Sequence, residues 1–238
     1  MKFYLYTFFL GLFLIFTSCV TEEKITFKEV EITAEGNSIV SINIPKAEGN
    51  NIISNTINKT ITHTISQSLN FGKENLNSKK SLEEQIQFFN NEFIAFKKDF
   101  PGSAQEWKAQ IDGDLMYQSQ EIISIAISSY LNTGGAHGIL TISFLNFDSK
   151  TGLLLENDKL FNDIESVKSI AKPYFEDFIA ENDSEIFNAD EFLLPQNIGF
   201  EDEGIIMLYN GYEVAPYSTG IIQFTIPYNE ISSYLNFN

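Results

Sequence analysis

His137 sits within Gly134-Gly135-Ala136-His137-Gly138, between apolar runs that end at Leu131 and resume at Ile139. An imidazole there is a candidate general base if a partner comes within hydrogen-bond reach. No G-x-S-x-G nucleophile turn accompanies it. Hydrolytic chemistry would instead need a carboxylate distant in sequence, such as Glu213. Zinc usually takes three or four His, Cys or carboxylate ligands. With 2 histidines and 1 cysteine in the chain, such a site would be mostly carboxylate, so neither a metal nor another cofactor is expected. Asp112-Gly113-Asp114 and Glu201-Asp202-Glu203-Gly204 lack the ligand spacing of an EF-hand and read as solvated turns. The architectural reading needs no partner. Gly134, Gly135 and Gly138 supply the backbone freedom of a tight connection between strands, and His137 hydrogen-bonds locally to hold it. That reading is preferred, and no residue is assigned as catalytic. His63 lies about 200° around a helix from Ile61, off the apolar stripe, and is expected to be solvated.

A second candidate is Gly211-Tyr-Glu-Val-Ala-Pro-Tyr-Ser-Thr-Gly220. Tyr212 and Tyr217 offer large, fairly rigid contact area with a polar tip, which suits a loop that binds glycan or protein. Alternatively, the two tyrosines pack the loop onto a sheet while Glu213 satisfies backbone donors. The packing reading is preferred, because buried tyrosines normally find such partners.

Cys19 carries a third kind of chemistry. Lys2 is followed by a mostly apolar run from Phe3 to Phe16, too short for a comfortable membrane span. Phe16-Thr-Ser-Cys19 resembles the lipobox of bacterial lipoproteins. Residues 1–18 are therefore expected to be a signal peptide and Cys19 the acylated first residue, with residues 19–26 as a tether. Acylation uses the only thiol, so no disulfide, thiol catalysis or cysteine metal site follows. Each buried acyl CH₂ contributes about 0.8 kcal/mol, so several chains anchor the protein firmly. The expected location is the cell envelope, on the outer membrane, facing the periplasm or the surface. Glu22 and Glu23 resemble an acidic surface-export signal.

The chain has 238 residues and a formal net charge of −17, and its 15 basic residues are all lysine. Such a surface repels nucleic acid. Without arginine there is no planar fork for bidentate phosphate or carboxylate recognition. An acidic field favours cationic partners or simply keeps the protein soluble.

The elements that must position these residues follow from periodicity. Val40, Ile42 and Ile44 alternate with polar neighbours, as in a half-buried strand. Ile53, Ile57, Ile61, Ile65 and Leu69 recur every four residues, which marks one face of a helix, although β-branched content weakens it. Residues 70–80 read as a loop. Ser81 and Glu84 match a capping box ahead of the stripe Leu82, Ile86, Phe89, Phe93 and Phe96. Strands are expected from Trp107 onward, through Ile123–Leu131 and Ile139–Phe147, with Asp148–Gly152 as a turn and Leu153–Glu156 resuming the sheet. Asp163 caps a further helix, which Pro173 should kink or delay. Strands near 197–200, 204–209 and 220–227 and a short closing helix complete the chain. The pattern is α+β, with antiparallel sheets, two helices in the first half, and one longer and one short helix in the second. The expected division is 27–112 and 113–238.

Three stretches carry a family resemblance. Ser41–Ile61, "SINIPKAEGNNIISNTINKTI", is similar to the start of a known extracytoplasmic domain. Tyr130–Phe161 carries the family's Gly-Gly-Ala-His-Gly turn, its Asn-Phe-Asp…Thr-Gly turn and an Asp…Leu-Phe. Leu208–Ile231 carries a Tyr-Glu…Ala-Pro-Tyr…Gly loop followed by a strand and Pro-Tyr. The family is the paired domain of unknown function seen in RsiV-type anti-sigma factors and ahead of the catalytic domain of PdaC-type peptidoglycan deacetylases. RsiV-type proteins have a sigma-binding segment and a membrane helix, and PdaC-type proteins a deacetylase domain. None of these is apparent here, so neither activity is expected to transfer. The RsiV version binds lysozyme, a cationic enzyme that an acidic protein would attract. The resemblance therefore implies a non-enzymatic, lipid-anchored binding or sensor module for a cationic protein or a peptidoglycan fragment. The alternative is a cell-wall hydrolase using His137 and Glu213.

Overall fold

The computed structural model describes residues 24–70, 81–188 and 191–237. The leader, Cys19 and most of the loop expected over 70–80 lie outside the described residues.

A five-stranded sheet occupies the first part, in the order β1 (Thr26–Ile32), β2 (Val40–Glu48), β3 (Lys108–Gln118), β4 (Ile122–Asn132) and β5 (Ile139–Asp148). All pairs are antiparallel except β2–β3, which run parallel. A parallel pair needs a crossover, and two helices provide it: α1 (Asn51–Leu69) and α2 (Leu82–Asp99).

Each helix forms for identifiable reasons. The Asn50 side chain accepts from the backbone N–H groups of Ile52 and Ile53 at the start of α1. Ile57, Ile61 and Ile65 are at most 1% exposed, and burying one such side chain contributes about 1.5–3 kcal/mol. That outweighs the few tenths lost per β-branched residue. α2 starts with the expected capping box: Ser81 accepts from Glu84 N–H, and the Glu84 carboxylate accepts from Ser81 N–H at 2.7 Å. Leu82, Ile86 and Phe89 bury its inner face in the same core cluster as Ile57, Ile61 and Ile65 of α1 and Ile42 and Ile44 of β2.

The expected turn at Asp112–Asp114 is instead the middle of β3. A Cβ on Gly113 would lie 2.7 Å from Pro45 Cδ and 2.9 Å from Ile127 Cδ1, so this glycine exists for close packing. Pro45 follows the residues of β2 that pair with β3, Val40–Asn43, so its missing N–H interrupts no ladder there. The expected boundary at 112/113 therefore cuts through a strand: the first sheet continues to Asp148.

A second, antiparallel sheet follows, in the order β6 (Asn197–Phe200), β7 (Gly204–Tyr209) and β8 (Ile222–Pro227). Between the sheets lie the single turn α3 (Asn157–Leu160) and the long α4 (Ile164–Glu181); α5 (Tyr228–Ile231) follows β8. Leu153–Glu156 does not resume the first sheet as expected; Leu154 makes only an isolated bridge to Phe147. Asp163 caps α4 through Ser166 N–H. The hydrogen bond from the Ser166 hydroxyl, and then this backbone one, hold the Asp163 carboxyl below its ordinary pKa.

Pro173 does not delay α4, which starts at Ile164 and runs through it. The proline is exposed, and the carbonyl it frees belongs to exposed Ser169, where water can satisfy it. Val167, Ala171 and Phe175 keep the buried stripe continuous across it. The fold is α+β.

Two buried side chains join the sheets. Asn146 of β5 donates to Ile198 O at 2.7 Å, and the Ser124 hydroxyl of β4 accepts from Phe200 N–H at 3.1 Å. Both residues are at most 2% exposed.

Candidate functional site

The glycine–histidine connection joins β4 to β5, and the tyrosine loop joins β7 to β8. They are far apart in sequence, yet the fold brings their tips together.

Gly134 adopts φ +88°, a region that favours glycine, and its N–H donates to Asn132 Oδ1 at 2.9 Å. A Cβ there would crowd Gln105 and Trp107, and one on Gly138 would land on the Tyr130 ring. Gly135 is exposed and open on its side-chain face. The Gly138 carbonyl collects two donors: His137 Nδ1 at 3.1 Å and the Tyr217 hydroxyl at 2.8 Å. A carbonyl oxygen only accepts, so the proton of a neutral His137 belongs on Nδ1, leaving Nε2 as an acceptor. The His137 ring lies on Tyr217 with centroids 3.8 Å apart and planes 12° apart, and Tyr212 extends the stack at 5.5 Å.

The loop that presents these tyrosines is built by Glu213 and Asn210. Glu213 accepts from Gln196 N–H and Asn210 N–H, one with each carboxylate oxygen, both at 2.9 Å. Its negative charge also keeps the proton on neighbouring Tyr209, whose phenol is raised first by burial and then by Glu213. The Asn210 amide closes a two-way bond with the outer edge of β5. It accepts from Ile142 N–H and donates to Ile142 O, both at 2.8 Å.

Tyr212 is 55% exposed and holds φ +70°, which a non-glycine residue rarely adopts. Such strain costs on the order of 1–3 kcal/mol and persists only where surrounding structure enforces it.

All seven candidates named from these two stretches thus gather at one tip. No hydrogen bond joins Glu213 to His137: the Glu213 oxygens hold backbone amides, and His137 Nδ1 holds a carbonyl. Among the described residues, no three His, Cys, Asp or Glu side chains cluster to hold a metal. His63 is exposed on α1, 3.1 Å from Gln67 Nε2. Asn210 was not singled out from sequence. Asn210-Gly211 is a turn signal, but nothing local announces that its amide reaches a strand 68 residues away.

Beside the tip lies a cleft of about 500 Å³ bounded by the end of α1, the outer part of the β4–β5 hairpin and His137.

Comparison with known proteins places these parts. Residues 32–140 match the family model described as "Deacetylase PdaC", and residues 155–229 match the one described as "Protein of unknown function (DUF3298)". No curated protein matches. The chain is similar to the crystal structure of a DUF3298 family protein from Pseudomonas aeruginosa, at 17% identity and a TM-score of 0.57, over 90% of this chain and 94% of that one. It is also similar to that of a DUF3298 family member from Bacteroides fragilis, at 18% identity and a TM-score of 0.57, over 91% and 96%. At such identity the likeness speaks for the fold. The two family matches, in this order along one chain, agree with the resemblance carried by the sequence motifs: a segment similar to the PdaC model is followed by one similar to the DUF3298 model.

Proposed function

We propose that this chain is a non-enzymatic recognition module, anchored through acylated Cys19 to the bacterial envelope, that binds a protein or a peptidoglycan-related ligand at the tip. An extracytoplasmic setting is supported by the PdaC-type match and by the lipobox-like leader. Among the described residues, no helix is long and apolar enough to cross a membrane. The observation that carries the reading is Tyr212, held exposed at φ +70° at the end of an aromatic stack. A solvent-facing aromatic kept at a conformational cost suits contact with a partner better than packing. The acidic surface adds attraction for a cationic protein such as a lysozyme-like enzyme. Isothermal calorimetry at moderate salt with lysozyme and a muropeptide panel tests this. A measurable heat with at least one of them is expected, and silence across both would remove the reading.

A further inference from the structure

The cleft beside the tip has a chemistry that selects its ligand. In β4 and β5, alternation places Ile123, Ile125 and Ile127 on the side of the first sheet that packs beneath the helices. Ser129 on β4, its partner Thr141 and the partner of Ile127, Ser143, on β5 continue that side. α1 ends before covering them, so Thr141 and Ile139 stay exposed. Thr64 and Gln67 of α1 form the opposite wall, and His137 closes one end.

In a chain of net charge −17, the described residues lining this cleft include no carboxylate and no lysine. A charged ligand would lose hydration here without gaining a counter-charge. Hydroxyls both donate and accept, and the Gln67 amide does both as well, so the walls complement a ligand that is itself rich in hydroxyls. Ile139 and the histidine ring add apolar area against which the C–H face of a sugar ring can rest. The volume lies within the roughly 300–1,000 Å³ range of small-molecule clefts.

We infer that the cleft binds a neutral oligosaccharide, with Thr141, Ser143, Ser129 and Gln67 taking its hydroxyls and His137 flanking a ring. This rests on the recognition reading above and narrows its ligand to an uncharged sugar chain at a defined place.

The test uses the chain purified from membranes in detergent, titrated with the neutral tetramer of N-acetylglucosamine and with its fully de-N-acetylated, cationic counterpart. The neutral tetramer should bind, and the cationic one at least tenfold more weakly. Thr141→Trp, at an exposed position facing the cleft, should weaken the neutral tetramer at least tenfold with an unchanged melting temperature. Thr141→Glu should weaken it similarly and serves if the tryptophan variant fails to fold. Equal binding by wild type and both variants would overturn the inference by moving the ligand elsewhere. Tighter binding of the cationic tetramer would overturn the charge argument. Binding of lysozyme or muropeptides with none of the neutral tetramer would overturn the sugar assignment and leave the recognition reading intact. Silence with every probe would remove both.

Discussion

At the residue scale, the tip distinguishes side chains that build from those that face solvent. Glu213 builds, since each of its oxygens holds a backbone amide. Hydrogen bonds to charged groups contribute about 1.5–3 kcal/mol. Glu213→Gln puts an amide NH₂ against one of those donors, so a loss of about 1–3 kcal/mol in chemical denaturation is expected. The same variant should lower the Tyr209 pKa in an absorbance titration, because it removes a negative charge that favours the neutral phenol. Tyr212 faces solvent under strain, so Tyr212→Gly should leave stability unchanged or raised while weakening ligand binding several-fold in calorimetry. A binding-neutral variant would return Tyr212 to a packing role. The candidate residues were legible as two motifs, each with its own turn glycines. Their meeting was not, because it depends on the Tyr217 hydroxyl reaching Gly138 O and on the Asn210 amide reaching β5, contacts without a local signature.

At the element scale, the edge of β5 shows how one side chain can substitute for a strand. Exposed edges invite pairing with other chains. Asn210 occupies both ladder groups of Ile142, as a neighbouring strand would. Asn210→Ala leaves a donor and an acceptor without that partner. It should cost about 1–3 kcal/mol and promote association, read by denaturation and light scattering. Helices were readable where burial and capping agreed: α1 from its four-residue isoleucine spacing, α2 from Ser81 and Glu84, α4 from Asp163. Two readings failed for reasons remote in sequence. Gly113 resembled a turn glycine until Pro45 and Ile127 filled the space its side chain would need. Pro173 was expected to kink α4 or delay its start, but the helix already begins at Ile164, and the exposed position of the proline lets water take the bond it removes.

At the scale of the whole molecule, the first sheet and its β4–β5 connection are pinned to the second sheet and its β7–β8 loop by Asn146 and Ser124 between the sheets and by Tyr217 and Asn210 at the tip. The expected 112/113 division falls inside β3 and cuts through its pairing with β4. A fragment ending at 112 should show no cooperative melt by circular dichroism, and a cooperative one would show that the helices and β1–β2 suffice. Stability should also fall at alkaline pH. Tyr209 and Tyr228 are both raised above the ordinary tyrosine value of 10.0, chiefly by burial. Below pH 10 both states keep these protons and the contribution is intact. Above it the unfolded chain ionises first, so stability declines as pH rises further. A flat stability profile from pH 9 to 12 would contradict that.

The central claim is that His137 shapes a β-connection beside a recognition surface and turns nothing over. The most direct measurement compares wild type and His137→Ala for product release from peptidoglycan and for melting temperature. Neither protein should release product, and the variant should melt lower by the few degrees expected for losing an aromatic pair worth about 0.5–1.5 kcal/mol. Release by wild type that vanishes in a variant of unchanged melting temperature would contradict the account.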